Sequence, residues 1–418
     1  MIEMTEPGIQ VRPVAGKSML DTFIRVPWSV YANDPCWVPP LMTERRDALS
    51  DRNPFFQHAA WNAWIAYQDG KPVGRISAQV DQLFLRHQDS ETGFFGLLEG
   101  HNNPAIFNAL LGAAEDWLLR QGMKQALGPF NLGVNQEIGL LVDGFDSPPY
   151  VMMGHARPYY EQFITKQGYQ PRQDLLAYEL GADDFAIPAV MKSLLKRQKH
   201  RVRTRRLDRG NRVADLNTMR EVFNDAWSNN WGFVPFTEAE FQAVGKELLM
   251  IVPADYINIA EVDGEPAAFI VMLPNINEAI ADLDGALLPF GWARLLWRLK
   301  SPLSSKKPKS ARVALMGVKQ KFQHTRLGPA LAFLLIDQLE KPGKARGLER
   351  IELSWILESN QGIRNVIEQV GGVVTKRYRM YGKALARSPV AGPESPTSQS
   401  SGEFSGNLPP DPAAEQVR

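Results

Sequence analysis

The same series of short elements is spelled out twice along this chain, so any fold it adopts is built from two related halves. In the first, Ile9-Gln-Val-Arg-Pro-Val14 alternates like a strand, and a helical stretch bearing Phe23, Ile24, Val30 and Tyr31 follows. In the second, Val202 to Leu207 reads as a strand. Asp215 is then placed to cap a helix whose apolar members Leu216, Met219, Val222, Phe223, Ala226 and Trp227 keep helical spacing. Each half continues into a hairpin with the same turn, Asp69-Gly70 and Asp263-Gly264, because glycine tolerates the positive φ that a tight turn needs. A strand then leads to a proline-started helix, from Phe94–Leu98 to Pro104 and from Val313–Met316 to Pro329. Both halves close with a strand, a short helix, a glycine and a further strand, with Gly168 and Tyr178 answering to Gly371 and Tyr381.

The offset between equivalent positions shows where the halves diverged. It is 191 from Val11 to Val202 and 194 from Asp69 to Asp263, jumps to 225 from Pro104 to Pro329, and falls to 203 from Gly168 to Gly371. The second half has gained about 30 residues before its helix and the first about 20 after its own, and binding residues concentrate on such insertions. The order of elements predicts an α/β fold with a mixed sheet. It divides the chain into a first domain over 1–185 and a second over 200–386. A basic connector over 186–212 includes the second domain's first strand, and Ser/Pro/Gly/Glu-rich sequence over 387–418 is expected to be disordered.

Composition narrows the function class by exclusion. Lys and Arg total 47 against 46 Asp and Glu, so no net field draws the chain to nucleic acid. Cys36 is the sole cysteine and no Cys/His cluster has zinc spacing, which predicts a reducing compartment and no metal. Met1 to Gln10 carries two glutamates and lacks the apolar core of a signal peptide. No apolar run approaches the ~18 residues of a membrane span. A cytoplasmic protein is expected.

The segment Val318-Lys-Gln-Lys-Phe322-Gln323-His324-Thr325-Arg326-Leu327-Gly328-Pro329 lies between a strand and a helix, where backbone N–H groups and the helix dipole can hold a pyrophosphate. A plain strand-to-helix turn is the alternative. The segment resembles the acyl-CoA loop of the GNAT superfamily, Gln/Arg-x-x-Gly-x-Gly/Ala entered from a Val-x-x-x-Tyr/Phe strand end. Gln323 and Gly328 match its ends, while Arg326 stands where glycine is usual. Leu353 to Gly371 resembles the superfamily's later motif, with Asn360 opening its helix. Ile367 occupies the position where a tyrosine acid is often found.

The resemblance covers most of 200–386 and, in degenerate form, 8–180, where Gly100-His-Asn-Asn-Pro104 replaces the loop. It implies two tandem GNAT-like domains, the first degenerate, and an N-acyltransferase with acyl-CoA as co-substrate. The implied acyl-CoA site comprises Met316, Val318, Gln323, His324, Thr325, Arg326, Leu327, Gly328 and Asn360, with an oxyanion donor among the backbone amides of Met316 to Val318. The chain is also similar to a bacterial ceramide-synthase-like subset, which implies a lipid-like amine such as a sphingoid base as acceptor, and acyl-CoA or an acyl carrier protein as donor. A non-catalytic GNAT-like protein that binds acyl-CoA or lipid is the competing reading, favoured by Ile367 and Arg326.

Acyl transfer to an amine needs a base, and the insertions supply the candidates. Glu137 lies between apolar stretches of the first insertion, where partial burial would suit it to proton transfer, or it caps a nearby amide. His155 is the second candidate. Asn135, Asn230, Trp231 and Trp292 are candidate acceptor contacts, with core packing the alternative for the aromatics. Leu287 to Lys300 interleaves Trp292, Trp297 and leucines with Arg294, Arg298 and Lys300 reaching outwards. That pattern suits contact with an anionic membrane on its inner face, or a helix packed on the core. Lys192 to Arg212 holds ten Lys/Arg and one acid. It reads as a solvated linker helix, or as contact with anionic lipid, an acidic carrier protein or nucleic acid.

Overall fold

Both hairpins adopt the turn that their residues dictate. In the computed structural model, which describes residues 8–184, 188–301 and 303–386, Asp69 and Gly70 have φ of 50° and 75°, and Asp263 and Gly264 of 53° and 83°. Both central residues are left-handed, as a type I′ hairpin turn requires.

Around these turns the first half runs β1 (Ile9–Pro13), α1 (Gly16–Val30), α2 (Met42–Ala48), β2 (Ala59–Gln68), β3 (Lys71–Asp81), α3 (Gln82–His87), β4 (Thr92–Gly100), α4 (Pro104–Arg120) and β5 (Gln125–Gly128). Its insertion contributes β6 (Phe130–Asn131), β7 (Glu137–Ile138) and β8 (Leu140–Asp143), ahead of α5 (Tyr160–Lys166) and β9 (Gln170–Gly181). After α6 (Ala189–Arg197), the series returns as β10 (Val202–Arg206), α7 (Arg212–Trp227), α8 (Glu238–Ile251), β11 (Ile257–Val262) and β12 (Glu265–Pro274). The second insertion holds α9 (Asn277–Ile280) and α10 (Gly291–Lys300). Then come β13 (Ser310–Val318), α11 (Gln320–Gln323), α12 (Leu327–Ala345), β14 (Arg350–Leu357), α13 (Gln361–Gln369) and β15 (Val373–Ala384). Helix starts are capped where the sequence supplies a cap: Asn103 accepts from Ala105 N at 3.0 Å, and Thr237 with Glu240 forms a reciprocal capping box.

One mixed sheet spans both halves in the order β1-β2-β3-β4-β5-β15-β9-β14-β13-β12-β11-β10, with β8 pairing to β15 off this path. The centre of that order is an exchange. β15, the last strand of the second half, pairs with β5 of the first, setting Tyr381 opposite Gly128. β9, the last strand of the first half, pairs with β14 of the second, setting Tyr178 opposite Leu353. The two exchanged strands also pair with each other. Tyr378 and Tyr381 therefore pack in the first half's core, while Leu176 and Tyr178 pack in the second's. Burying an aromatic of this size contributes about 1.5–3 kcal/mol, so each core draws stability from the other's strand.

His58 makes a polar tie between the halves. Its Nδ1 is 2.9 Å from Asp81 on β3, and its Nε2 is 3.2 Å from Glu240 on α8. Burial opposes its charge, but hydrogen bonds to the two carboxylates prevail and push its pKa up to about 9.

Several expectations need correction. Asp215 does not cap α7, which begins at Arg212. It is buried one turn in, accepting from Asp208 N and from the Arg205 guanidinium, each at 2.8 Å. Pro329 is the third residue of α12, a position whose N–H still lacks an intrahelical partner. The basic run is not one linker helix: it is shared between α6 and the edge strand β10. On α10, Arg298 turns inward instead of reaching outwards. Its guanidinium donates to Asp282 at 2.7 and 2.9 Å and to Ala279 O at 2.6 Å, because that carboxylate stands behind the helix. The tail expected over 387–418 lies outside the described residues.

Candidate active site

β13 and β14 run parallel and are paired only from Ser310–Val313 to Arg350–Leu353. Ala314 is skipped in the register with β12, which bulges β13 at the point where the two strands part company. Beyond it, Leu315, Met316 and Val318 are half-buried, and Trp227 Nε1 donates to Met316 O at 3.2 Å. The expected pyrophosphate segment follows directly, with α11 and the start of α12 built into it. Gln323 serves as an internal brace, its amide donating to Val318 O at 2.8 Å and Ala226 O at 2.9 Å. Thr325 Oγ1 donates to Phe322 O and accepts from Leu327 N, leaving His324 and Arg326 exposed beside it.

Arg326 has φ −60° and ψ −20°, a right-handed conformation open to any residue, so arginine replaces glycine here without strain. Its guanidinium has no partner among the described residues and stands at the positive end of a 19-residue helix. Gly328 is required for another reason. A Cβ there would sit 2.6 Å from Phe322 O, so only glycine lets α12 start this close to α11. Asn360 caps α13 by accepting from Ile363 N at 3.3 Å. Between α12, α13 and the strands lies a narrow apolar cavity of about 20 Å³, lined by Leu180, Val313, Ile336, Leu339, Val366 and Ile367 among others.

In the first half the matching divergence is plugged. β4 bulges at Leu97, with φ of 47°, and the amide this frees donates to Asn131 Oδ1 at 2.7 Å. Strand β6 lies directly on β4 there: a Cβ on Gly96 would collide with Phe130 O. Gln79 fixes the plug by donating to Phe130 O at 2.7 Å and Leu132 O at 2.9 Å. Glu137 belongs to this plug, accepting from Asn131 Nδ2 at 2.8 Å with the Arg45 guanidinium 3.8 Å away.

The first insertion then runs along β14. Arg312, wholly buried on β13, donates to Val151 O at 3.1 Å and to Ser354 Oγ at 2.8 Å, and lies over the Trp355 ring. Ser354 in turn donates to Glu352 at 2.6 Å. The second Glu352 oxygen is buried without a partner among the described residues, and burial pushes this carboxyl's pKa up to about 7 despite the nearby Arg312. Met153 sulfur lies 3.4 Å from Ser354 Oγ, and Tyr378 OH donates to Gly154 O at 3.2 Å.

Next in sequence comes His155, whose Nε2 is 2.9 Å from Asp34. Burial works against the Asp34 carboxylate, but His155, the Cys36 amide and Arg157 together hold its pKa below the ordinary value. Burial lowers the His155 pKa, so the ring is neutral near pH 7. The Asp34 hydrogen bond selects the Nε2–H tautomer, and Nδ1 is left buried without a partner among the described residues.

The structure thus gathers Met316, Val318 and Gln323 to Gly328 at one strand end; His155 lies two residues beyond Met153, which touches β14, and itself contacts Asp34 and Tyr31 of the first half. Glu137 sits in the first-half plug. Asn135 donates to Val234 O at 3.0 Å, tying the first insertion to the loop between α7 and α8 that carries Asn230 and the exposed Trp231. Trp292 is on the outer face of α10. Sequence reasoning missed Asp34, Arg312, Glu352 and Ser354. The available signal was a charge at an inward position of an otherwise apolar strand, as in Ala311-Arg312-Val313 and Ile351-Glu352-Leu353.

No protein-family model matches the chain. It is 47% identical over 375 residues to Protein YghO of Escherichia coli (strain K12), covering 90% of this chain and 95% of that one. It is 45% identical over 387 residues to the bacterial ceramide synthase of Caulobacter vibrioides (strain NA1000 / CB15N), covering 92% and 99%. The chain belongs to the family of these two proteins. Among solved structures it resembles a tandem GNAT protein from the clavulanic acid biosynthesis pathway, with 14% identity, 91% and 99% coverage and a TM-score of 0.54. That likeness bears on the fold alone, which is a tandem GNAT fold. Family and fold together place this ceramide-synthase relative among acyltransferases.

Proposed function

We propose that this chain transfers an acyl group from acyl-CoA to the amine of a long-chain, sphingoid-type acceptor. The observation that carries the reading is the neutral His155, oriented by Asp34, its buried Nδ1 without a partner among the described residues, two residues beyond Met153 where the insertion touches β14. The relative named bacterial ceramide synthase supports the acceptor class. The start of α12, with Arg326 beside it, suits the CoA pyrophosphate.

In this reading the neutral amine attacks the thioester carbonyl, and the oxyanion accepts a hydrogen bond from a β13 amide near Met316. His155 Nδ1 removes the proton from the new ammonium nitrogen. The C–S bond breaks, the amide forms, and the imidazolium returns the proton to the CoA thiolate. This relay supplies the acid that Ile367, buried on α13, cannot.

The test is incubation with acyl-CoAs of graded length and a long-chain amino alcohol, reading free thiol and the mass of the product, with acyl carrier protein thioesters as a parallel arm. Amide product with thiol release supports the proposal; thiol release no faster than hydrolysis refutes it. The buried Ile367 favours one competing reading, a non-catalytic acyl-CoA-binding protein, which would give saturable binding and an intact thioester.

A further inference from the structure

Helix α10 carries its polarity the wrong way round for a helix resting on a protein core. The side chain it buries is Arg298, held by Asp282 and Ala279 O, while Asp282 also takes Lys306 at 2.7 Å. What the helix and its flanks expose is apolar: Leu288, Phe290, Trp292, Leu296, Trp297 and Leu303 are each between 45% and 86% exposed. A surface of this kind normally marks an interaction site. Arg294 and Lys300 stand exposed among these residues without an ion pair among the described residues.

The charge pattern selects the occupant. Asp282 neutralises Arg298 and Lys306, so the charge this patch leaves unpaired among the described residues is that of Arg294 and Lys300. Two copies meeting through this patch about a two-fold axis would set the unpaired Arg294 and Lys300 of one against those of the other. A surface that is both apolar and anionic satisfies the whole pattern, with indole and leucine side chains at the acyl boundary and cations at the headgroups. No helix among the described residues is long and apolar enough to cross a membrane, so contact is in the interface plane. We infer that α10 and its flanks dock this enzyme onto an anionic lipid bilayer. The inference stands on this surface alone and does not depend on the proposed acyl transfer.

The test is co-sedimentation of the full chain with vesicles of phosphatidylcholine, with and without phosphatidylglycerol. Wild type should bind the anionic vesicles. Leu296→Ser/Trp297→Ser should weaken binding by at least about 100-fold, the burial of two such side chains. Because these side chains are exposed, its unfolding midpoint and its affinity for CoA should not move. Arg294→Gln/Lys300→Gln should lose affinity for anionic vesicles and not for neutral ones. Wild type that fails to bind, or a Leu296/Trp297 variant that binds equally, overturns the inference. So does sedimentation equilibrium showing a wild-type dimer that this variant dissociates, which would make the patch a contact between copies. Vesicle binding without amide synthesis would count against the acyl-transfer reading alone.

Discussion

Replacing His58 with glutamine gives a quantitative test of how the halves are held together. In the folded protein His58 sits between Asp81 and Glu240 with its pKa raised from 6.5 to about 9. Below pH 6.5 the imidazole is charged in both the folded and unfolded states, and the tie contributes fully. Between 6.5 and 9 the folded chain holds a proton that the unfolded chain has released, so stability falls as pH rises, and above 9 the contribution is gone. At ~1.4 kcal/mol per pH unit, the span from 6.5 to about 9 sets an upper bound of about 3.5 kcal/mol. The side chain is 12% exposed, so little of this is screened by solvent. Urea unfolding of wild type and His58→Gln at pH 6.0, 7.5 and 9.5 provides the measurement. Their stability difference should shrink by about 2–3 kcal/mol across that range. Glu352 also titrates abnormally, near 7, but its contribution is common to both proteins and cancels in the difference. A difference that stays constant with pH would show that the His58 charge does not bind the halves together.

Three further outcomes follow from the site. Gly328→Val forces α11 away from α12 and should weaken CoA binding by more than about tenfold while leaving the chain folded; unchanged affinity by calorimetry would move the pyrophosphate elsewhere. Titration with acyl-CoA should give one site per chain, because Asn131 already occupies the amide that the β4 bulge frees. Two equivalent sites would contradict that. His155→Gln should lower kcat by ~10²–10⁴ without changing acyl-CoA affinity. In wild type, the acid limb of the kcat/KM profile should lie below pH 6.5, since burial lowers the His155 pKa; an unaltered kcat would remove His155 from the chemistry.

Much of this fold was legible because its signals are local. The Asp-Gly turns, the proline-led α4 and the offsets that betray both insertions each rest on a few adjacent residues. The strand exchange was not legible. β9 is buried continuously from Asp174 to Tyr178 and β15 alternates, and neither pattern distinguishes a partner in its own half from one in the other. The Asp34–His155 pair is separated by 121 residues, so only the folded chain brings it together. Arg298 was misjudged because helical periodicity says which residues share a face, not that face's direction. That direction is set by Asp282, sixteen residues upstream in the turn after α9. At Arg326 the doubt came from the motif and not from the chain, since its backbone asks nothing that arginine cannot give.

The exchanged strands also set a clock on biogenesis. β5 ends at Gly128 but finds its second neighbour only when β15, ending at Ala384, has left the ribosome. At ~5–20 residues per second, the intervening 256 residues take about 13–50 s to synthesise, and through that interval the first half is a nascent domain with an open edge. A stop codon anywhere before Val373 would therefore disable the N-terminal half as surely as the C-terminal one, and truncated chains should be found with chaperones or in aggregates instead of as a free first domain.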